Sequence, residues 1–117
     1  MVNQVVVYGS LKRGFYNNRC FPEGSKYIKD ISLSGYKMLN LGSYPGVIEG
    51  DSVVHGELWD TPDMSSLDML ESNGSFYTRY IKTYTDGVGN QGKAWVYLLP
   101  QGYADRYEEI DDGTWRS

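Results

Sequence analysis

Gln4-Val5-Val6-Val7-Tyr8-Gly9-Ser10-Leu11 opens the chain with three consecutive β-branched residues and halts at a Gly-Ser pair. A run that is apolar at successive positions reads as a strand buried on both faces. Further strand candidates lie within Ile31 to Leu39, and at Val53 to Trp59, Arg79 to Thr85 and Lys93 to Leu99. In the fourth, Tyr80, Lys82 and Tyr84 alternate with Ile81 and Thr83 until Asp86-Gly87 ends it. In the fifth, Trp95, Tyr97 and Leu99 alternate with Ala94, Val96 and Leu98, so both faces are apolar and the strand belongs in a closed or covered sheet.

Between the third and fourth strands, Thr61 as N-cap, Pro62 at the first helical position and Asp63 beside the positive end of the dipole predict a helix to about Glu71. Ser72-Asn73-Gly74 supplies the stop. A weaker helix is expected across Leu11 to Arg19, opposed by Gly14 and the Asn17-Asn18 pair. The tail from Pro100 has turn chemistry at Gln101-Gly102 and Asp112-Gly113 and an aromatic anchor at Trp115, and is expected to pack back on the body. With no internal repeat or biased linker, the 117 residues read as one domain, 1–117.

Fifteen acidic against 11 basic residues give a net charge of −4, with no Lys/Arg-rich run, so no nucleic-acid partner is expected. The apolar runs are too short to cross a bilayer, so no membrane partner is expected either. The single Cys20 and single His55 remove disulfide frameworks and the usual multi-cysteine or two-histidine metal motifs, so no metal is expected. A reducing compartment such as the cytoplasm is the default location. The oligomeric state is not legible.

Glu71 is the first candidate for chemistry. At about 100° per residue, Met64, Leu67 and Glu71 fall within roughly 60° of one another, which turns the carboxylate onto the apolar stripe, with Asp68 at its border. Desolvation there would raise its pKa toward neutrality, where a general base can both take and return a proton. The plain alternative is a last-turn glutamate that frays into solvent. Tyr8-Gly9-Ser10-Leu11 is the second candidate: successive backbone N–H groups in such a turn form a concavity for a carboxylate or other anion. The plain alternative is an ordinary strand-ending turn, with Lys12 and Arg13 solvating the surface. Gly42-Ser43-Tyr44-Pro45-Gly46-Val47 is a Gly/Pro-rich loop whose Tyr44 walls a pocket or merely connects strands. Tyr77 and Arg79 enter the fourth strand, where the phenol binds a ligand or fills core. His55, Ser10 and Cys20 lack the sequence context of a catalytic base or nucleophile.

These motifs together resemble the gamma-glutamylcyclotransferase-like family, particularly its gamma-glutamylamine cyclotransferase branch. Val7-Tyr8-Gly9-Ser10-Leu11-Lys12-Arg13-Gly14 looks like the family signature. Tyr44-Pro45-Gly46, Gly56-Glu57-Leu58-Trp59, Leu67-Asp68-Met69-Leu70-Glu71, Tyr77 with Arg79, Ala94-Trp95-Val96-Tyr97 and Ile110 to Trp115 follow in the family's order. The resemblance implies an α+β fold, a small mixed β-barrel flanked by short helices. It implies a small-molecule gamma-glutamyl substrate, no cofactor, a substrate carboxylate held by the backbone of Tyr8, Gly9, Ser10 and Leu11, and Glu71 as general acid and base. The reaction implied is ring closure of a γ-glutamyl amine or peptide to 5-oxoproline with release of the amine. A binding module for a small carboxylate- or phosphate-bearing ligand on the same fold is the alternative. The chain departs from the family after Glu71, where Ser72-Asn73-Gly74-Ser75 replaces glycine with an aromatic or apolar residue, on the expected amine-leaving side.

Overall fold

The computed structural model describes residues 3–71, 74 and 76–116, with only the backbone of 104 and 105. Five strands are named in chain order: β1 (Asn3–Val7), β2 (Lys26–Asn40), β3 (Pro45–Thr61), β4 (Thr78–Asp86) and β5 (Gln91–Leu98). They close a barrel in the order β1-β3-β2-β4-β5. β1 runs parallel to β5, and the other pairs are antiparallel. Helix α1 (Ser65–Leu70) lies between β3 and β4, and short 3₁₀ segments span Tyr16–Cys20 and Gln101–Asp105.

The double burial expected of the first strand is found. Val6 and Tyr8 belong to one core cluster with Ile31, Leu33, Met38, Val54 and Val96, while Val5 and Val7 belong to a second with Leu11, Met64, Leu67, Tyr77 and Tyr97. Because side chains alternate along a strand, the first cluster fills the barrel and the second packs its outer face beneath α1. β5 divides in the same way, with Ala94, Val96 and Leu98 in the first cluster and Tyr97 in the second.

β2 and β3 form a long hairpin, and β2 bends where the register shifts around Ser34 to Tyr36. Gly35 there has φ +86°, a conformation open to glycine at low cost. The β2–β4 seam is short, pairing Ile31 with Asp86 and Ser32 with Thr85, and an ion pair of 2.9 Å from Lys29 Nζ to Asp86 Oδ2 reinforces it. That ammonium holds the Asp86 carboxyl down at about 2.

Three local expectations are corrected. The helix begins at Ser65, not after Thr61, which is the last residue of β3 and pairs with Asn3. Asp63 takes the capping part instead: its Oδ1 accepts from the Ser65 N–H at 2.9 Å and from the Ser65 hydroxyl at 2.7 Å. The loop expected over 42–47 is a loop only to Tyr44, because Pro45, Gly46 and Val47 start β3 opposite Asn40, Leu39 and Met38. The helix expected across Leu11 to Arg19 is a series of turns followed by the 3₁₀ segment. Of the helix stop, Ser72 and Asn73 lie outside the described residues, and Gly74 has φ +89°.

The tail returns as expected. His55 N–H donates to the Gly113 carbonyl at 2.8 Å, Ile110 N–H to Met38, and Trp115 is buried against the barrel core. Among the described residues no helix is long and apolar enough to cross a membrane.

Candidate active site

A cavity of about 350 Å³ opens where β1 ends, bounded by the turn after β1, the start of β3, the end of α1 and Tyr97 of β5. Its walls include Tyr8, Gly9, Ser10, Leu11, Tyr44, Glu71 and Tyr77, so the candidate residues chosen from sequence converge on one space. Arg79 stands apart from that wall.

The turn is held from behind. Its internal backbone bonds are donated by Lys12 to Gly9, Phe15 to Lys12 and Asn17 to Ser10, so the Ser10 and Leu11 amides are not consumed by them. Asn17 Nδ2 donates to Ser10 Oγ at 2.8 Å, and Asn18 Nδ2 to the Leu11 carbonyl at 2.7 Å. Gly9 passes so close to Pro45 that a Cβ there would lie 2.8 Å from the proline Cγ. Glycine at this position is therefore a packing requirement between β1 and β3. Lys12 and Arg13 face elsewhere: the Lys12 ammonium donates to the Trp115 carbonyl at 2.8 Å, and Arg13 Nε pairs with Glu57 at 3.2 Å.

Glu71 is the C-terminal cap of α1, with φ −87° and ψ 0°, and its N–H still donates to the Leu67 carbonyl. Leu67 is fully buried and Met64 nearly so, and they fix the side of the helix that faces the barrel. The Glu71 side chain is largely buried, and desolvation pushes its carboxyl from 4.5 up to about 7. Among the described residues no ion pair or side-chain hydrogen bond reaches that carboxylate.

Two of the three buried phenols that line the cavity are tied to backbone, while that of Tyr97 donates to Asp68. Tyr8 donates to the Tyr97 carbonyl at 2.6 Å and Tyr77 to the Pro45 carbonyl at 2.7 Å. Burial, with smaller contributions from neighbouring phenols and Glu71, drives both pKa values upward, so both stay protonated. The Tyr77 oxygen keeps capacity to accept a hydrogen bond, whereas the Val47 backbone N–H already faces that of Tyr8.

Asn17, Leu70, Phe76 and Tyr97 also line the cavity, and sequence reasoning did not single them out as site residues. Tyr97 arrives through the parallel β1–β5 pairing, which sets Val96 beside Val6, and no local motif encodes that pairing. His55 is exposed on the far side, its Nδ1 3.1 Å from Ser32 Oγ, and Cys20 is a half-buried free thiol beside the outer core cluster.

Residues 5–117 match the family described as gamma-glutamyl cyclotransferase, AIG2-like. The gamma-glutamylcyclotransferase family protein YtfP of Escherichia coli K12 is 31% identical over 114 residues, covering 96% of this chain and 95% of that protein. The fold matches the crystal structure of an AIG2-like protein from Mus musculus with TM-score 0.84 at 19% identity, over 98% of this chain and 88% of that one. It also matches a structure of a gamma-glutamyl cyclotransferase with TM-score 0.74 at 16% identity, over 93% and 70% of the respective chains.

Proposed function

This chain belongs to the gamma-glutamyl cyclotransferase, AIG2-like family, and from that premise we propose that it converts a γ-glutamyl amine or peptide to 5-oxoproline and the free amine. What supports the reading most is a largely buried carboxyl, Glu71, titrating at about 7 in the same small cavity as the amide-lined turn Tyr8–Leu11.

In this reading the Ser10 and Leu11 amides, with the Ser10 hydroxyl steadied by Asn17, hold the substrate's α-carboxylate. Ionised Glu71 removes one proton from the α-ammonium. The freed amine attacks the γ-carbonyl carbon, forming the new C–N bond of a five-membered ring and a tetrahedral centre. Protonated Glu71 then gives its proton to the departing nitrogen as the old C–N bond breaks, and the second proton of the ring nitrogen follows by the same route, leaving the neutral lactam, the amine as its ammonium and Glu71 ionised again. Atoms balance without an oxidant, a water molecule or a cofactor. Fixing the carboxylate on the turn also fixes the nucleophile over the carbonyl, so ring closure starts from an oriented conformer.

The deciding experiment incubates wild type and Glu71→Gln with a panel of γ-glutamyl amines and peptides and reads 5-oxoproline by mass spectrometry. Turnover by wild type and not by the variant is the expected result. Ligand binding by both proteins without 5-oxoproline would overturn it in favour of a non-catalytic binding module.

A further inference from the structure

Resting on that reading, we propose that the mouth of the cavity is a leaving-amine subsite built for an uncharged aromatic amine. Two groups of side chains in the cavity wall bear on the two halves of such a substrate. One set is polar and joined by its own bond: Ser10 and Asn17, with Glu71 on the α1 side. The other is Tyr44, Pro45, Leu70, Phe76 and Tyr77. The γ-glutamyl half of the substrate carries a carboxylate, an ammonium and the scissile amide, and its charges are answered by the first set. The amine half is left to the second.

That second set is organised by ring contacts. Tyr44 meets Phe76 edge to face at 6.1 Å, and Phe76 meets Tyr77 at 4.8 Å and Tyr103 at 5.8 Å. Tyr103 in turn meets Tyr107 at 5.9 Å, so aromatic surface continues outward from the cavity. Tyr44 is 42% exposed and Leu70 39% exposed, which leaves apolar surface in water at the mouth until something apolar covers it. Edge-to-face rings of this kind accept another flat ring with the same geometry.

Charge points the same way. Among the described lining residues Glu71 is the one carboxylate, and no Lys or Arg lines the cavity. An amine bearing a second ammonium or a carboxylate would therefore desolvate that charge without an ionic partner at the mouth.

The test compares γ-glutamyl-tyramine, Nε-(γ-glutamyl)-lysine and γ-glutamylglycine. Specificity constants are read from 5-oxoproline release with wild type, and affinities from calorimetry with Glu71→Gln, which does not require turnover. The expected result is a preference for the tyramine compound of about tenfold or more in both measurements. Phe76→Ala and, separately, the exposed Tyr44→Ala should collapse that preference toward parity, with Phe76→Leu retaining part of it. Equal or reversed preference in wild type overturns the subsite, even if all three compounds yield 5-oxoproline and the reaction stands. An aromatic preference in binding that Tyr44→Ala removes, with no 5-oxoproline from any compound, keeps the subsite and overturns the reaction. Absence of both binding and turnover overturns both.

Discussion

Glu57 and Glu71 are both largely removed from water, and both flank the turn that follows β1, yet they have opposite surroundings. Glu57 sits on β3 opposite Val7, with Oε1 accepting from the Arg13 backbone N–H at 2.9 Å and the Trp59 indole at 3.1 Å, and Oε2 paired to Arg13 Nε. Its cavity, about 340 Å³, is lined by Lys12, Arg13, Asp30 and His55, so charge there is answered by charge. Glu71 faces a cavity of similar size whose walls answer it with aromatic rings and backbone. Two spaces of similar volume thus differ in the partners they offer a carboxylate, and in the second desolvation pushes the carboxyl up to about 7. A paired carboxylate fixes structure; a desolvated one is free to trade its proton.

The sharpest way to break this contrast is Glu71→Gln. Removing a general acid and base costs about 10²- to 10⁴-fold in rate, so 5-oxoproline release should fall by that factor while the cavity shape is kept. Retained turnover would show that Glu71 does not carry the protons.

Stability against pH tests the same difference without a substrate. The Glu71 carboxyl titrates at 4.5 when solvated and at about 7 in the folded chain, so folding is favoured by the proton it holds. That contribution is fully present below about 4.5 and is lost as pH rises through about 7, to a total of about 3 kcal/mol. Wild type should therefore lose stability relative to Glu71→Gln between about pH 5 and about pH 8, read as urea midpoints of both proteins. Parallel curves would place Glu71 in water.

Glu57→Ala should act in the other currency. It strands the Trp59 indole and the Arg13 backbone N–H, while the exposed Arg13 side chain keeps Asp30 within 3.5 Å. We expect a loss of about 2 kcal/mol in denaturant unfolding, with turnover per folded molecule unchanged.

Near-neighbour features of the sequence carried a closed or covered sheet and the Glu71 half of this contrast, while the barrel was implied by the family resemblance and the Glu57 pairing was not foreseen. The apolar run Val5 to Val7 is buried on both faces, and the inward turn of Glu71 follows from its spacing to Met64 and Leu67. What it hid depends on distant partners. Thr61 has the chemistry of an N-cap, but pairing with Asn3 holds it in β3 and its hydroxyl donates to the Asp63 carbonyl, so the helix starts later. Pro45 and Gly46 have the composition of a loop, but the hairpin recruits them opposite Asn40 and Leu39. Asn17 and Tyr97 enter the cavity wall through a turn bond and a parallel strand pairing, neither of which leaves a periodic trace.

Asp68 repeats the comparison within a single helix and yields the smallest expected effect. One turn before Glu71, its Oδ1 accepts from Arg79 Nε at 2.7 Å and from the Tyr97 hydroxyl at 2.7 Å, and its Oδ2 from Arg79 Nη2 at 3.1 Å. It is the Glu57 solution transplanted to α1, tying the helix to β4 and β5. Tyr97→Phe removes one donor and leaves the arginine fork in place, so the loss should be about 1 kcal/mol. Burial drives the Tyr97 phenol pKa well up, so it remains a donor at neutral and mildly alkaline pH. The cost of Tyr97→Phe should therefore be the same at about pH 5 and about pH 8, although Glu71 changes charge between them. A cost that moves with pH would mean that the paired and the unpaired carboxylate of α1 act as one coupled unit, and the contrast drawn between them would fail.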